Sequence, residues 1–274
     1  MASAVAVNAY LPGFVQGLIY RGGSKSSCVP FLNCYSCPGA LAACPVGSFQ
    51  SLAAAASQQV SLYVLGFVTA VGAASGRLVC GWLCPFGAVQ DLLGRRASRR
   101  PLPAVATGLR YLVLLLTVAL PFIIVTPLGS ELFFCKYVCP AGTLEAGIPL
   151  AVANPGIRAA LGLLFTWKAA LLATFVIASL LIYRPFCRTT CPLGAFYGLF
   201  NGIAVSRLRL NNEGCASCGQ CSAVCPVGID VTRTPNSPDC IRCLECTRAC
   251  PSKALWLESP LPQRMRSPRE EVRA

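Results

Sequence analysis

CASCGQCSAVCPVGIDVTRTPNSPDCIRCLECTRACP, residues 215–251, carries eight of the chain's 18 cysteines in two copies of one spacing. Cys215, Cys218, Cys221 and Cys225 are followed by Pro226; Cys240, Cys243, Cys246 and Cys250 are followed by Pro251. Two-residue gaps wrap three thiolates around one iron–sulfur cube, and the proline turns the chain so that the fourth thiolate reaches the other run's cube. The spacing therefore predicts site A from Cys215, Cys218, Cys221 and Cys250, and site B from Cys240, Cys243, Cys246 and Cys225. Two four-thiolate zinc sites are the competing reading, but zinc ribbons need neither the third evenly spaced cysteine nor the proline. A disulfide framework demands no such regularity.

Working outward, the other residues look unlike a soluble protein. The 274-residue chain is 55% hydrophobic and only 12% charged, with a mean hydropathy of +0.61, which points to a membrane. Its formal charge of +13, from 23 Lys and Arg against 10 Asp and Glu, reads as membrane orientation rather than nucleic-acid binding. There is no histidine. That excludes His-ligated haem, mixed His/Cys zinc sites and His-based acid–base catalysis. Thiolate chemistry remains, and no carboxylate pair or nucleophile constellation marks a hydrolase or transferase.

The expected fold is an all-α polytopic membrane protein of three to four transmembrane helices plus interfacial helices, residues 1–206. A C-terminal α+β two-cluster ferredoxin-like domain at 207–258 and a disordered tail at 259–274 follow it. About 20 apolar residues cross the hydrocarbon core, and 59–79, 109–127 and 161–183 meet that length. Arg110 is placed to snorkel from the second span, and Trp167 and Lys168 to sit in an interfacial belt. Residues 3–20, broken by Asn8, Pro12 and Gln16, are expected to form either a marginal fourth span, slightly favoured, or an interfacial helix, and 47–58 a short interfacial helix.

A second word links these spans. Cys-Pro-x-Gly occurs at Cys44, Cys84, Cys139 and Cys191, and Arg-x2-Cys-x3-Cys-Pro-x-Gly-Ala occurs at both Arg77 and Arg184. Each longer word ends a span, with one helix between, so the two spans run the same way, as in a repeat about an axis along the membrane normal. Thiols four residues apart emerge on one side of a helix. The expected inner site is therefore a four-thiolate cluster from Cys80, Cys84, Cys187 and Cys191, beneath the ferredoxin pair. Arg95, Arg96, Arg99 and Arg100 share that face and make it cytoplasmic. Cys28, Cys34, Cys37, Cys44, Cys135 and Cys139 fall on the other face. These pair as disulfides, hold a further cluster, or do one of each; the cluster is favoured, on Cys135, Cys139, Cys44 and one of Cys34 or Cys37. Lys136, Arg77 and Arg184 lie near thiolates, placed either to raise a cluster's potential or as ordinary interfacial cations.

On NCYSCPG (33–39), CGWLCPFG (80–87), CKYVCPAGTLEAGIPL (135–150), FCRTTCPLGAFY (186–197) and the ferredoxin words, the chain resembles the NapH-type membrane-bound polyferredoxins. It differs by a third Cys-x3-Cys-Pro motif and by the dense cysteines at 28–44. The resemblance implies a membrane electron-transfer subunit of a larger complex in the cytoplasmic membrane of an anaerobe. Such a subunit passes single electrons through [4Fe-4S] clusters between a quinone or cytoplasmic donor and a partner redox protein. A redox accessory in metalloenzyme maturation or metal uptake is the alternative, and a membrane redox sensor a third class.

Overall fold

The computed structural model describes residues 2–54, 62–126, 129–130 and 132–259. The predicted tail, apart from Ser259, and the first residues of the predicted span 59–79 lie outside them. The chain is mostly helical. Two helices are long and apolar enough to cross a membrane, Ala104–Ile123 and Leu163–Leu181, with mean hydropathies of 1.8 and 1.9. Only 22% and 11% of their most apolar windows are buried within the protein. Their outward leucines and isoleucines, such as Leu115, Ile177 and Leu181, thus suit lipid rather than water.

Within the first predicted span, 59–79, the described helix is Leu62–Ser75, 14 residues, which at 1.5 Å each reach about 21 Å against a hydrocarbon core of about 30 Å. It stops at Gly76, whose φ is +51°. A side chain there would meet Asn201 Oδ1 at 2.4 Å and the Arg242 guanidinium at 2.9 Å, so the stop is where the C-terminal module docks. The marginal fourth span is absent. Residues 3–20 instead form two six-residue helices, Ala2–Val7 and Leu11–Gln16, each only about 9 Å long. The segment folds back on 38–41, with Leu41 N donating to Val7 O at 2.9 Å and Tyr10 N to Gly39 O at 3.2 Å. Three or four spans are therefore not reached among the described residues.

Two apolar cores form. One joins Phe86, Phe134, Phe186 and Tyr197 to the thiols of Cys44, Cys84, Cys139, Cys187 and Cys191. The other gathers Leu208, Val227, Ile241 and Leu255 with Cys225, Cys240 and Cys246. The second is closed by an antiparallel pair, Arg207–Leu210 on Leu255–Glu258, in which Leu208 faces Leu257 and Arg209 faces Trp256.

Buried arginines fasten the second core to the first. Arg110 does not snorkel: it is 2% exposed and pairs with Asp239 at 2.5 Å, next to Cys240. Arg242 reaches across to Ser75 O at 2.8 Å, a carbonyl that the Leu62–Ser75 helix end leaves unpaired, and to Asn201 O at 2.6 Å and Ser206 O. Arg188 donates to Arg100 O at 3.1 Å and Val227 O at 2.9 Å. The basic loop is held in turn by Ser98 N on Leu181 O at 2.9 Å. The arginine loop, the C-terminal module and the ends of two apolar helices therefore share one end of the molecule.

Candidate functional site

The inner set is built by two copies of one local device. Cys84 caps the helix Pro85–Leu93 and Cys191 caps Pro192–Phe200, with proline at the first turn of each, where its missing N–H costs nothing. Each capping sulfur accepts the N–H of the glycine three residues on, Gly87 at 3.4 Å and Gly194 at 3.3 Å. Amides at a helix start favour a thiolate, which is why the word reads Cys-Pro-x-Gly. Cys80 and Cys187 lie one turn before, in Leu78–Trp82 and Pro185–Thr189.

The two copies then exchange arginines. Arg77 of the first donates to Cys187 O of the second at 3.0 Å, and Arg184 of the second donates to Cys80 O of the first at 2.5 Å. Each guanidinium passes over the other copy's glycine: a Cβ at Gly194 would lie 3.2 Å from Arg77, and one at Gly87 3.2 Å from Arg184. Phe86 of the first copy and Phe186 of the second meet edge to face at 5.1 Å, although they hold different positions in the repeat. The repeat read from the sequence is thus a physical pairing, and it brings Cys80, Cys84, Cys187 and Cys191 together.

Burial pushes the Cys84, Cys187 and Cys191 thiols up, and repulsion among the four adds to it. Gln90 Nε2 donates to Cys187 Sγ at 3.0 Å, while Gln90 Oε1 and Arg77 Nε are buried without a partner. Three of these thiols are buried and Cys80 is half-buried; to act together as thiolates they would need a cationic centre to offset their charge. Among the described residues no three Cys, Asp or Glu close around a single ion. No two of the 18 cysteines are joined by a disulfide.

In the C-terminal module the structure brings Cys225, Cys240, Cys243 and Cys246 close enough to repel one another's charge. Burial pushes the Cys240 thiol up to about 11 and Cys246 to about 12. Cys215, Cys218, Cys221 and Cys250 are the more exposed four. Both runs bend the same way: Ser217 and Gly219 flank Cys218, Arg242 and Leu244 flank Cys243, and all four have positive φ. Left-handed residues alternating with ordinary ones turn successive N–H groups inward, a concavity suited to an anionic cluster. Non-glycine residues accept such strain where a ligand compensates it.

The outer cysteines sort themselves. Cys34, Cys44, Cys135 and Cys139 line one cavity of about 780 Å³, with Cys28 at its wall. Cys37 does not line it; that thiol is buried against the amides of Gly39 and Ala40. Of the two candidates the structure therefore brings Cys34 to the set. Burial pushes Cys34 and Cys139 up to about 12. The Cys-Pro-x-Gly word sets the Gly47 and Gly142 amides toward Cys44 and Cys139, which lowers both thiols against the effect of burial, although Cys139 does not close the capping bond that Cys84 and Cys191 make. Glu145 accepts Cys34 N at 2.7 Å, and burial raises its carboxyl to about 7. Trp167 and Lys168 bond Tyr137 O and Cys135 O at 3.0 and 2.9 Å, bracing this turn, and Lys136 stands over the Tyr137 ring.

Two links went unseen in the sequence. Gly81 sits so close to the module that a Cβ would lie 2.4 Å from Ile241 O, joining the inner set to the Cys240 loop, and Trp82 Nε1 donates to Arg242 O at 3.0 Å beside it. Tyr197, fully buried, donates to Pro30 O at 2.9 Å. Burial pushes its phenol up, and it feels the charge of Cys80, Cys84 and Cys191 together with Cys44. The only signal was positional: Tyr197 stands six residues after Cys191, where the first copy has Gln90 after Cys84. The sequence topology separates the inner and outer sets by a membrane, whereas the structure packs them in one core. On the Ala104–Ile123 helix, Arg110 meets Asp239 and Thr117 O meets Gln50, which accepts from Cys135 N. Those seven residues rise only about 10 Å.

A 4Fe-4S binding domain family matches residues 57–103, 109–148 and 163–211, one Cys-x3-Cys-Pro word in each segment. An uncharacterised protein of Methanocaldococcus jannaschii is 31% identical over 191 residues, 66% of this chain and 71% of that one. The ferredoxin-type protein NapH of Haemophilus influenzae is 26% identical over 65% of this chain and 61% of its own length. The chain belongs to the NapH-type polyferredoxins. The methylamine utilization ferredoxin-type protein MauN of Methylorubrum extorquens is 28% identical over 55% of this polyferredoxin and 47% of its own length. The chain thus spans roughly half to two-thirds of these two ferredoxin-type relatives. No solved structure matches it. Family membership makes the polyferredoxin a 4Fe-4S electron-transfer protein.

Proposed function

We propose that this polyferredoxin passes single electrons along one line of four-thiolate sites, from the C-terminal module through the inner set to the outer set, within a cytoplasmic membrane. Cys215, Cys218, Cys221 and Cys250 would hold cluster A, and Cys225, Cys240, Cys243 and Cys246 cluster B. Cys80, Cys84, Cys187 and Cys191 would hold the inner cluster, and Cys34, Cys44, Cys135 and Cys139 the outer one. The clusters, when bound, supply reversible one-electron chemistry. The chain's own work is to fix the thiols, to aim the Gly87 and Gly194 amides at sulfur, to set Arg77 and Arg184 beside the inner set, and to keep water out. The carrying observation is continuity: Gly81 lies against the Cys240 loop, and Tyr197 is buried in one core with the inner thiols Cys84, Cys187 and Cys191 and the outer thiols Cys44 and Cys139. The arginine loop on the module's side supports a cytoplasmic module, and a membrane-bound or soluble redox partner completes the circuit.

Counting iron tests this reading. Anaerobically prepared protein is expected to hold about sixteen irons per chain as four cubes, and Cys139→Ala to lose about four while sites A, B and inner persist. Mössbauer spectroscopy showing two cubes only, or zinc in place of iron, would defeat the line of four. Tyr197 gives a second test. Tyr197→Phe keeps the ring and is expected to leave reduction of the outer site unchanged within about twofold, while Tyr197→Leu slows it with iron content intact. Equal slowing in both variants would assign the effect to the lost bond to Pro30 O (about 1 kcal/mol) instead of to the ring.

A further inference from the structure

The basic loop has a role that orientation in a membrane does not exhaust. Arg95, Arg96, Arg99 and Arg100 are all exposed, and among the described residues none of the four has an ion-pair partner. Two shallow clefts open beside them. One, of about 410 Å³, is lined by Arg95, Arg99, Arg248 and Trp82 and has Cys243 of site B in its wall. The other, of about 390 Å³, is lined by Arg248, Lys253, Trp82 and Trp256 and has Cys250 of site A in its wall. Trp82 and Arg248 stand between them, shared by both. The acids of this region are already engaged: Asp91 pairs with Arg184, and Glu245 with Arg248 at 3.5 Å. The result is an aromatic centre with a rim on which Arg95, Arg99 and Lys253 have no ion-pair partner among the described residues and Arg248 is offset by Glu245, set over one cysteine of site A and one of site B.

We propose that this face, centred on Trp82 and Trp256 and rimmed by Arg95, Arg99, Arg248 and Lys253, docks an acidic, soluble one-electron carrier protein. The inference rests on the electron-transfer reading above and adds the point of entry and the partner's charge. Aromatic residues suit the desolvated middle of a protein interface and charged ones its rim. A rim of one sign accelerates encounter with a partner of the other and weakens with salt. In the step itself the carrier loses one electron and site B gains it; no bond is made or broken and no proton is required.

The test uses the full chain, loaded with iron, in nanodiscs of neutral lipid. The probe is a reduced acidic two-cluster ferredoxin, with a neutral photoreduced deazaflavin as the comparison reductant. At low salt the Arg95→Glu/Arg99→Glu variant is expected to be reduced by the ferredoxin about tenfold or more slowly than the wild type. The gap should close at about 0.5 M salt, where charges are screened beyond a few ångströms. Arg95→Gln/Arg99→Gln should fall between, and the deazaflavin should reduce all three alike. Equal ferredoxin rates in wild type and both variants would overturn the proposal. So would unchanged rates accompanied by lost binding to vesicles containing about 30% anionic lipid, which would make the rim a membrane contact. Failure of the electron-transfer reading looks different, since the wild type would then hold no iron and neither reductant would be oxidised.

Discussion

Arg184→Met is expected to lower the stability of the detergent-solubilised protein by about 3 kcal/mol, toward the lower end of what breaking a buried ion pair costs. Arg184 is 1% exposed and grips Asp91 with two nitrogens, one at 2.5 Å, while also donating to Cys80 O. Burial alone would pull its guanidinium down, but the Asp91 carboxylate more than offsets this and holds it well above its ordinary value. Methionine fills the space yet leaves Asp91 facing no cation. Asp91 is 35% exposed, so water relieves part of the penalty, which is why the lower end applies. Arg77→Met removes the pseudo-symmetric partner, which is 0% exposed but bonds only carbonyls, Pro238 O at 2.9 Å and Cys187 O at 3.0 Å. Its cost should be about 1–2 kcal/mol, from acceptors left unsatisfied. Thermal unfolding of both variants, with iron assayed at each temperature, reads the difference. Equal losses at the two positions would show that the ion pair adds nothing beyond the crossed bonds.

That contrast also marks how far the sequence could be read. Arg-x2-Cys-x3-Cys-Pro-x-Gly-Ala at 77 and 184 was visible as a repeat, because a cap, a proline and a glycine amide are local requirements that spacing alone expresses. The exchange of arginines between the copies was not, since a guanidinium reaches across a pairing that only the assembled helices define. The same division holds elsewhere. The grouping of Cys240, Cys243 and Cys246 was legible because three thiols on one loop are a short-range matter. The choice of Cys34 over Cys37 was not, because it depends on where residues 132–147 pack. Arg110 looked like a snorkelling cation from hydropathy; its partner, Asp239, is 129 residues away. Residues 3–20 were apolar enough to suggest a span, but Asn8, Pro12 and Gly13 let the chain turn back. A Cβ at Gly13 would lie 2.3 Å from Pro38 O, so that approach is open to glycine alone.

Gly81→Val is expected to damage electron exchange between the inner set and site B more than any other single change outside the cysteines. A Cβ at Gly81 would stand 2.4 Å from Ile241 O. That oxygen belongs to the backbone, so no rotamer can move it aside, and the two segments must part by at least 0.6 Å to reach even a tight 3.0 Å contact. Overpacking of this kind costs about 1–3 kcal/mol. The module would not fall away, because Arg110 on Asp239, Arg242 on Asn201 O, and Asn201 Nδ2 on Ser237 O and Cys240 O at 2.8 Å still hold it. The strain would instead fall on the Trp82–Arg242 bond and on the loop carrying Cys240 and Cys243, where left-handed Arg242 and Leu244 leave little slack. The measurable consequence is weaker magnetic coupling between the reduced inner and B clusters, slower electron passage to the outer site, and faster amide exchange over 240–244, at unchanged iron content. Gly66→Ala serves as the control, since a Cβ there meets nothing within 4 Å and alanine favours a helix over glycine by about 1 kcal/mol. If Gly81→Val kept the wild-type coupling and exchange, electrons would have to enter the inner set by a route other than the Cys240 loop.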